Sequence, residues 1–205
     1  MRRLRCLPFF VLAVLFARPG QGQGIAALDF ESYPGPDGQL GTPDDVPTPP
    51  CPGGFCGPLA DEYASVGLTF DSGVLMQGDW FPGTPATNHY VSSSPLDATL
   101  ADPGRSAAVE SYSFWTVVLW LLDAQDQVLG TATLVNPSPG NLYSGTLSLA
   151  SSTPYTRVTV RPEGCLPSDS CAQIVNLDNF TVAFVTIFDD GFESGDTGDW
   201  SLAQP

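Results

Sequence analysis

Short β-prone runs dominate the chain from Val66 onward, and they are separated by Gly, Pro, Asn, Asp and Ser. They recur every 8–15 residues or so, and none keeps the 3.6-residue periodicity of an amphipathic helix. The 20 prolines and 21 glycines also oppose long helices, because proline breaks the helical hydrogen-bond ladder. The pattern predicts an all-β chain.

The polarity of individual runs indicates how the strands are arranged. Residues 133–135, 146–149 and 158–160 alternate apolar with small polar side chains, as antiparallel strands with one buried face do. Residues 115–122 (WTVVLWLL) are almost wholly apolar, which predicts a central strand with Trp115 and Trp120 in the core. About ten such strands predict an antiparallel two-sheet β-sandwich of the jelly-roll type over residues 25–185.

The first 22 residues have the layout of a secretory signal peptide. A basic start, MRRLR, precedes an uncharged apolar run at 6–17, and a polar stretch ending near Gly22 follows. The apolar run would span only about 18 Å as a helix, which is short of a bilayer core. We expect residues 1–22 to be cleaved and the protein to be secreted, extracellular or associated with the cell surface. An uncleaved anchor or a buried helix is the alternative.

The net charge of the chain limits which molecules it can bind. The chain has 7 basic and 22 acidic residues, for a net charge of −15. Removal of residues 1–22 takes four arginines and no acid, so the remaining charge is 3 − 22 = −19. Such a surface repels nucleic acid and anionic membranes, and we expect neither as a partner. It is compatible with divalent cations, or it serves solubility alone.

Four cysteines remain after signal cleavage: Cys51, Cys56, Cys165 and Cys171. An even number in an exported protein predicts two disulfides. Of the three possible connectivities we favour the local pairs 51–56 and 165–171, because each closes a short Pro/Gly-rich loop. A zinc site is the alternative, although these spacings with a single histidine fit zinc ribbons poorly.

Two segments depart from the strand pattern. Residues 32–59 are rich in proline and glycine with almost no periodicity, which predicts an insertion or long loop rather than a strand pair. Residues 186–205 form an acidic C-terminal tail with three aromatic side chains on a glycine-rich frame. A sorting tag, a docking segment and a solvated tail all fit its composition.

Four motifs together resemble a known group: LDFE at 28–31, ADEYASVGLTF at 60–70, LLDAQDQVLGTATL at 121–134 and NLDNFTV at 176–182. They resemble secreted bacterial β-sandwich domains of surface and sorting-tagged proteins, which are similar to jelly-roll carbohydrate-binding modules. In calcium-bearing modules of that kind, an early Phe-Glu and a late Asp-Asp/Asn pair share one ion. The resemblance implies that Glu31 and Asp178 hold calcium here. Otherwise Glu31 ends a strand at the surface and Asp178 forms a turn.

A second acidic motif, GPDGQLGTPDD, lies at 35–45. Asp37, Asp44 and Asp45 resemble the carboxylates of a short bacterial calcium loop. The motif lacks the 1-3-5 carboxylate series and the twelfth-position glutamate of an EF-hand. A second calcium site and an ordinary solvated turn are both consistent with it.

Catalysis has little support in the sequence. His89 is the only histidine, and no nucleophile elbow, phosphate loop or dinucleotide fingerprint is present. We therefore expect a non-enzymatic module that binds an extracellular glycan. Aromatic side chains near turns are the candidates for stacking on sugar rings: Trp80, Tyr90 and Tyr143. The alternative is a structural extracellular or surface-matrix protein with no discrete ligand.

Overall fold

A computed structural model describes residues 24–78, 88–138, 140–164 and 173–185. Within these ranges the chain forms ten strands and two short 3₁₀ helices, Pro52–Gly54 and Ala64–Val66. The strands, in chain order, are β1 Ile25–Leu28, β2 Ser32–Tyr33, β3 Val46–Pro47, β4 Phe55–Pro58, β5 Leu68–Gln77, β6 His89–Ser113, β7 Val117–Leu122, β8 Val128–Leu134, β9 Tyr143–Pro162 and β10 Val175–Phe184.

Three long strands, β5, β6 and β9, change partners along their length and so contribute to two layers. In one layer, the first part of β6 pairs with the end of β5 on one side and with β10 on the other. The last part of β6 belongs to the same layer, where it lies between β10 and the start of β9. In the other layer, the middle of β6 pairs with the start of β5 and with the end of β9. The end of β9 pairs in turn with β7. β4 and β1 flank the first layer, and β8 flanks the second. The predicted all-β antiparallel sandwich of jelly-roll type is confirmed.

A single hydrophobic cluster occupies the interior between the layers. It includes Phe30, which follows β1, and Phe70, Leu119, Val158 and Phe180 on four different strands. The rings of Phe70 and Phe180 lie 6.1 Å apart, in a tilted arrangement that aromatic pairs favour. The core therefore joins the beginning and the end of the described chain.

Strand β7 confirms the prediction of a central strand, because β8 and β9 pair with its two edges. The prediction for Trp115 was wrong. β7 begins at Val117, two residues later than the apolar run suggested, and the Trp115 side chain is 45% exposed. Trp120 does lie within β7 and is partly buried. An apolar run shows that a strand is buried, but it does not show where the strand leaves the core.

The proline-rich segment 32–59 also differs from its prediction. It contains the two-stranded β2–β3 pair, and its last strand, β4, joins the main sheet. The Thr48 hydroxyl donates to the Phe30 carbonyl at 2.8 Å, and the Thr48 amide donates to the Glu31 carbonyl at 2.9 Å. Strands of two residues are too short to produce a periodic signal, and these long-range bonds hold them in place.

Several predictions concern residues outside the described ranges. These are the signal peptide at 1–22, the tail at 186–205, the Cys165–Cys171 pair and Trp80. Across the described ranges, no helix is long and apolar enough to cross a membrane.

A buried ion pair connects β6 and β9. Arg161 is almost fully buried, and its Nη2 atom lies 3.1 Å from Asp97 Oδ1. The hydroxyl of the buried Thr159 donates to the same Asp97 oxygen. Removal of one member of such a pair leaves an uncompensated buried charge, which costs far more than the loss of an exposed pair.

We expect Asp97→Ala to lower the free energy of unfolding by about 3–5 kcal/mol, because Arg161 would stay buried without this carboxylate. Urea denaturation measures the change. The matched control is Asp126→Ala, which removes an exposed carboxylate bonded to Arg157 and should cost less than about 1 kcal/mol. Equal losses in the two variants would show that the Asp97–Arg161 pair has no special role in stability.

Candidate functional site

The structure brings Glu31 and Asp178 into one neighbourhood, as the sequence motifs implied. Glu31 follows β1, and Asp178 lies within β10. The consecutive residues Asn88 and His89 connect the two acids through hydrogen bonds. The His89 amide donates to Glu31 Oε1 at 2.7 Å, and Asn88 Nδ2 donates to Asp178 Oδ2 at 3.2 Å. The start of β6 therefore holds together two acids that are far apart in sequence.

Two further residues complete this acidic cluster, which we define as Glu31, Asn88, Glu110, Asp178 and Asn179. Glu110 on β6 is the register partner of Asp178 on β10. The backbone amide of Asn179 donates to Asp178 Oδ1 at 2.8 Å. The side-chain Nδ2 of Asn179 donates to Glu110 Oε2 at 3.0 Å. The sequence analysis missed Glu110 and Asn88, because only the pairing of β6 with β10 shows that they approach Asp178.

Burial and charge act together on Asp178, which is 5% exposed. Loss of solvation raises the pKa of its carboxyl to about 6, against an ordinary value of 3.8, and repulsion from Glu110 and Glu31 acts in the same direction. The hydrogen bonds from Asn88 and Asn179 oppose the shift without cancelling it. The site therefore concentrates negative charge where a cation would be stabilised.

Backbone conformation is unusual beside both acids. Phe30 precedes Glu31 with φ 62°, and Asn179 follows Asp178 with φ 49°. Asparagine adopts the left-handed region more readily than most residues other than glycine, whereas this region is costly for a bulky residue such as phenylalanine. The buried Phe30 ring, packed 5.9 Å from Tyr63, offsets this cost and fixes the direction in which Glu31 leaves the core.

The donor set suits a hard cation. Glu31, Glu110 and Asp178 offer carboxylate oxygens, while Asn88 and Asn179 direct their side-chain nitrogens to Asp178 and Glu110. Calcium binds six to eight oxygens of these kinds in flexible geometry. Each carboxylate oxygen can accept more than one bond, so the hydrogen bonds already made do not exhaust their capacity.

The second acidic motif forms a self-bonded loop. The Asp37 amide donates to Asp44 Oδ2 at 3.2 Å, the Gly41 amide to Asp45 Oδ2 at 2.7 Å, and the Thr42 hydroxyl to Asp44 Oδ1 at 2.7 Å. The Thr42 bond, followed by the bond from the Asp37 amide, lowers the pKa of Asp44. These contacts account for the loop as a turn, and calcium binding by Asp37, Asp44 and Asp45 stays a prediction.

The aromatic candidates lie in different environments. Tyr90 is 1% exposed, so its ring is not accessible to a sugar in this conformation. Tyr143 is 37% exposed at the start of β9, where it is the register partner of Ser113. Trp80 lies outside the described residues.

Tyr143 belongs to an exposed aromatic patch that the sequence analysis did not recognise. Phe114 and Trp115 follow Ser113 directly and are 41% and 45% exposed. Val135 is also exposed, just beyond the end of β8. We call Phe114, Trp115, Val135 and Tyr143 the aromatic platform. The apolar run at 115–122 predicts that Trp115 lies in the core, so only the folded chain shows this platform.

The buried side chain of Asn136 holds in place the backbone that carries the aromatic platform. Asn136 Nδ2 donates to the carbonyls of Phe114 at 3.0 Å and Asn141 at 2.9 Å, and Asn136 Oδ1 accepts from the Ser138 amide at 2.9 Å. These bonds fasten the turn that precedes Tyr143 to the segment that carries Phe114 and Trp115. The platform is therefore held by buried hydrogen bonds rather than carried on a free loop.

The predicted Cys51–Cys56 disulfide is confirmed. The two sulfur atoms lie next to His89, the only histidine of the chain. His89 is 4% exposed, and its Nε2 atom has no hydrogen-bond partner in the described part of the chain. A buried polar atom left unpaired costs about 1–3 kcal/mol, so this arrangement calls for an explanation.

Comparison with known proteins gives no family and several structural likenesses. No family model matches the chain, and no curated protein matches it. A mutant of a family 29 carbohydrate-binding module is 10% identical with a TM-score of 0.34, over 80% of this chain and 99% of that one. An arabinoxylan arabinofuranohydrolase from Bacillus subtilis is 18% identical with a TM-score of 0.34, over 57% of this chain. The match spans 26% of the hydrolase.

In calcium-free buffer, Asp178 should make the stability of the protein fall as the pH rises from about 4 to about 6. The pKa of Asp178 is higher in the folded state, so folding is favoured while the group is protonated, and this contribution is lost as the pH passes through about 6. Urea denaturation at several pH values should show Asp178→Asn gaining on the wild type by about 1–2 kcal/mol, allowing for solvent screening.

The matched control for Asp178→Asn is Asp102→Asn, which removes one exposed carboxylate and reports the effect of net charge alone. A stability difference between Asp178→Asn and the wild type that stays constant from pH 4 to pH 7 would contradict the raised pKa.

Proposed function

We propose that this protein is a secreted, non-catalytic β-sandwich module that binds a neutral polysaccharide at the aromatic platform and is stabilised by calcium at the acidic cluster. The observation that carries the proposal is the exposure of Trp115 and Tyr143 beside Phe114, on backbone that Asn136 holds by buried hydrogen bonds.

Flat aromatic side chains bind sugars because the apolar face of a pyranose ring stacks on them and is removed from water. Phe114, Trp115 and Tyr143 each expose between one third and one half of their surface, so each offers a face while its base stays anchored. The Asn141 and Ser138 side chains lie in the adjoining turn, bonded to each other at 2.8 Å. They supply polar groups at the edge of the platform, where sugar hydroxyls need partners.

The charge of the protein points to the kind of polysaccharide. With a net charge of −15, or −19 after signal cleavage, the surface repels anionic polymers at long range. A neutral glycan meets no such barrier. This favours neutral polysaccharides such as glucomannan or xylan as probes over polygalacturonate or alginate.

Secretion is part of the same proposal. The features that support it are the basic and then apolar segment at 1–22 and the Cys51–Cys56 disulfide, which persists in an oxidising compartment. The four motifs that resemble secreted bacterial surface domains are consistent with export.

The proposal predicts that the protein binds a neutral polysaccharide and that Trp115→Ala and Tyr143→Ala each weaken binding about tenfold, which corresponds to about 1.4 kcal/mol. Affinity gel electrophoresis with immobilised glucomannan or xylan measures the change. The matched control is Phe55→Ala, which removes an exposed aromatic side chain on β4, separated from Tyr143 by β5, β6 and β10.

Unchanged retardation in both platform variants would overturn the assignment of the platform. If no polysaccharide retards the wild type while calcium drives its assembly, the protein is a structural matrix component, which is the competing function. Trp80→Ala belongs in the same series, because Trp80 was a candidate on sequence grounds.

Calcium binding at the acidic cluster is supported by the three carboxylates described above. Glu31 follows the first strand and Asp178 lies on the last, so a shared ion would bridge the two ends of the described fold. Such an ion binds the folded state and not the unfolded chain, and it therefore stabilises the protein by mass action.

Calcium at a hundredfold excess over its dissociation constant should stabilise the protein by about 2.7 kcal/mol, which raises the melting midpoint by about 5–10 °C. Glu31→Gln should remove most of this shift, whereas Asp44→Asn should leave it intact. Differential scanning calorimetry measures it, with magnesium at equal ionic strength as the control for general charge screening. Equal shifts with the two metals, retained in Glu31→Gln, would exclude a specific site.

A further inference from the structure

The environment of the Cys51–Cys56 disulfide has the donor atoms of a second kind of metal site. The two Sγ atoms and a ring nitrogen of His89 all lie within 4.8 Å of one another. Strand β5 connects the disulfide to His89. The Cys51 amide donates to Gln77 Oε1 at 2.9 Å, and Gln77, on β5, is the register partner of His89. The sheet itself therefore sets the positions of all three side chains.

His89 is oriented as metal-binding histidines are. Its Nδ1 atom lies 2.7 Å from Glu31 Oε2, and its Nε2 atom is buried with no hydrogen-bond partner among the described residues. In protein metal sites, a carboxylate commonly accepts a bond from one ring nitrogen and so directs the lone pair of the other toward the metal. Glu31 is the carboxylate that orients His89 in this way.

We propose that Cys51, Cys56 and His89, after reduction of the disulfide, bind a thiophilic cation such as Zn²⁺, with Glu31 as the positioning residue for His89. Disulfide and metal are then alternative occupants of one site. Two sulfurs and one imidazole form a three-ligand set that leaves a fourth tetrahedral position to a small ligand.

The chemistry balances with a thiol as the reductant. Two molecules of a thiol RSH reduce the Cys51–Cys56 bond, giving two cysteine thiols and the disulfide RSSR. A divalent cation then replaces the two thiol protons, which pass to solvent, while neutral His89 donates its lone pair and keeps its Nδ1 proton toward Glu31. Two thiolates neutralise the charge of the cation, so the buried site carries no net charge.

Distances are compatible with this change. Tetrahedral zinc with Zn–S of about 2.3 Å and Zn–N of about 2.0–2.1 Å requires its ligand atoms to lie roughly 3.5–3.8 Å apart. The sulfurs separate when their bond is broken, and the histidine nitrogen, already within 4.8 Å, approaches by at most about 1.3 Å. Cys56 lies on β4 at the edge of the sheet and is only partly buried, so the thiol reductant and the metal can reach it.

This site is separate from the proposed calcium site, although Glu31 contributes to both. Calcium prefers hard oxygen ligands and does not compete for thiolates. Saturating calcium therefore keeps the acidic cluster in one state while the sulfur site is titrated in proteins that retain Glu31, and Glu31→Gln is compared with its parent in calcium-free buffer.

The test uses the full chain with Cys165 and Cys171 replaced by serine, so that Cys51 and Cys56 are the only cysteines apart from Cys6 of the signal segment. The sample is the exported form, from which residues 1–22 are removed, reduced with a thiol and titrated with Co²⁺ in excess calcium. One equivalent of Co²⁺ should produce a thiolate-to-cobalt charge-transfer band in the near ultraviolet, and Zn²⁺ should abolish it. The oxidised protein should give no such band.

Variants separate the roles of the side chains. His89→Gln should weaken Zn²⁺ binding at least tenfold and change the visible cobalt spectrum, and Glu31→Gln should weaken Zn²⁺ binding by tenfold or more through His89. Cys56→Ser should lose most of the charge-transfer intensity without disturbing buried residues. Circular dichroism verifies that each variant is folded.

Two results would overturn the proposal: no charge-transfer band in the reduced protein, or a cobalt spectrum and zinc affinity that are the same in His89→Gln as in the parent. The calcium-induced rise in melting midpoint is measured on the same samples in the oxidised state. A failure of the sulfur site is therefore distinguishable from a failure of the calcium site.

Discussion

The pairing of β6 with three other strands is the constraint on which the fold depends. Its first, middle and last parts pair in turn with β5 and β10, with β5 and β9, and with β10 and β9. A slip of one residue in β6 would exchange its buried and exposed faces, and it would displace partners in both layers. The core residues Val91, Ala98 and Val109 on β6 therefore specify more of the structure than their number suggests. The buried Asp97–Arg161 pair secures the register between β6 and β9.

The same strand assembles the functional side chains. Asn88 and His89 at its start reach Asp178 and Glu31, Glu110 near its end is the register partner of Asp178, and Phe114 follows its last residue. The carboxylate of Glu31 and the sulfurs of Cys51 and Cys56 all lie close to His89: Nδ1 contacts Glu31, and a ring nitrogen lies within 4.8 Å of the sulfurs. The proposed hard-cation site and the proposed thiol site thus share Glu31, but one offers oxygen and the other sulfur donors, which favour different classes of metal.

Under the proposed function, the aromatic platform and the acidic surface would restrict binding in complementary ways. Stacking on Phe114, Trp115 and Tyr143 would tolerate different sugars, because every pyranose has an apolar face. The negative charge would disfavour anionic polymers, and the turn held by Asn136 would limit how far the rings rearrange. Preorganisation of this kind lowers the entropy cost of binding, which matters most where each contact is weak.

Sequence alone determined the all-β class, the local Cys51–Cys56 disulfide and the approach of Glu31 to Asp178. Strand periodicity and turn residues are local signals, a bridge between neighbouring cysteines is a local event, and the Phe-Glu and Asp-Asn motifs resemble those of a known group. Only the tertiary structure decided which aromatic side chains are exposed. Tyr90 and Tyr143 look alike beside their turns, yet Tyr90 is buried between paired strands and Tyr143 begins one at the surface. The roles of Glu110 and His89 likewise depend on strand register, because register brings together residues whose distance in sequence carries no information about their distance in space.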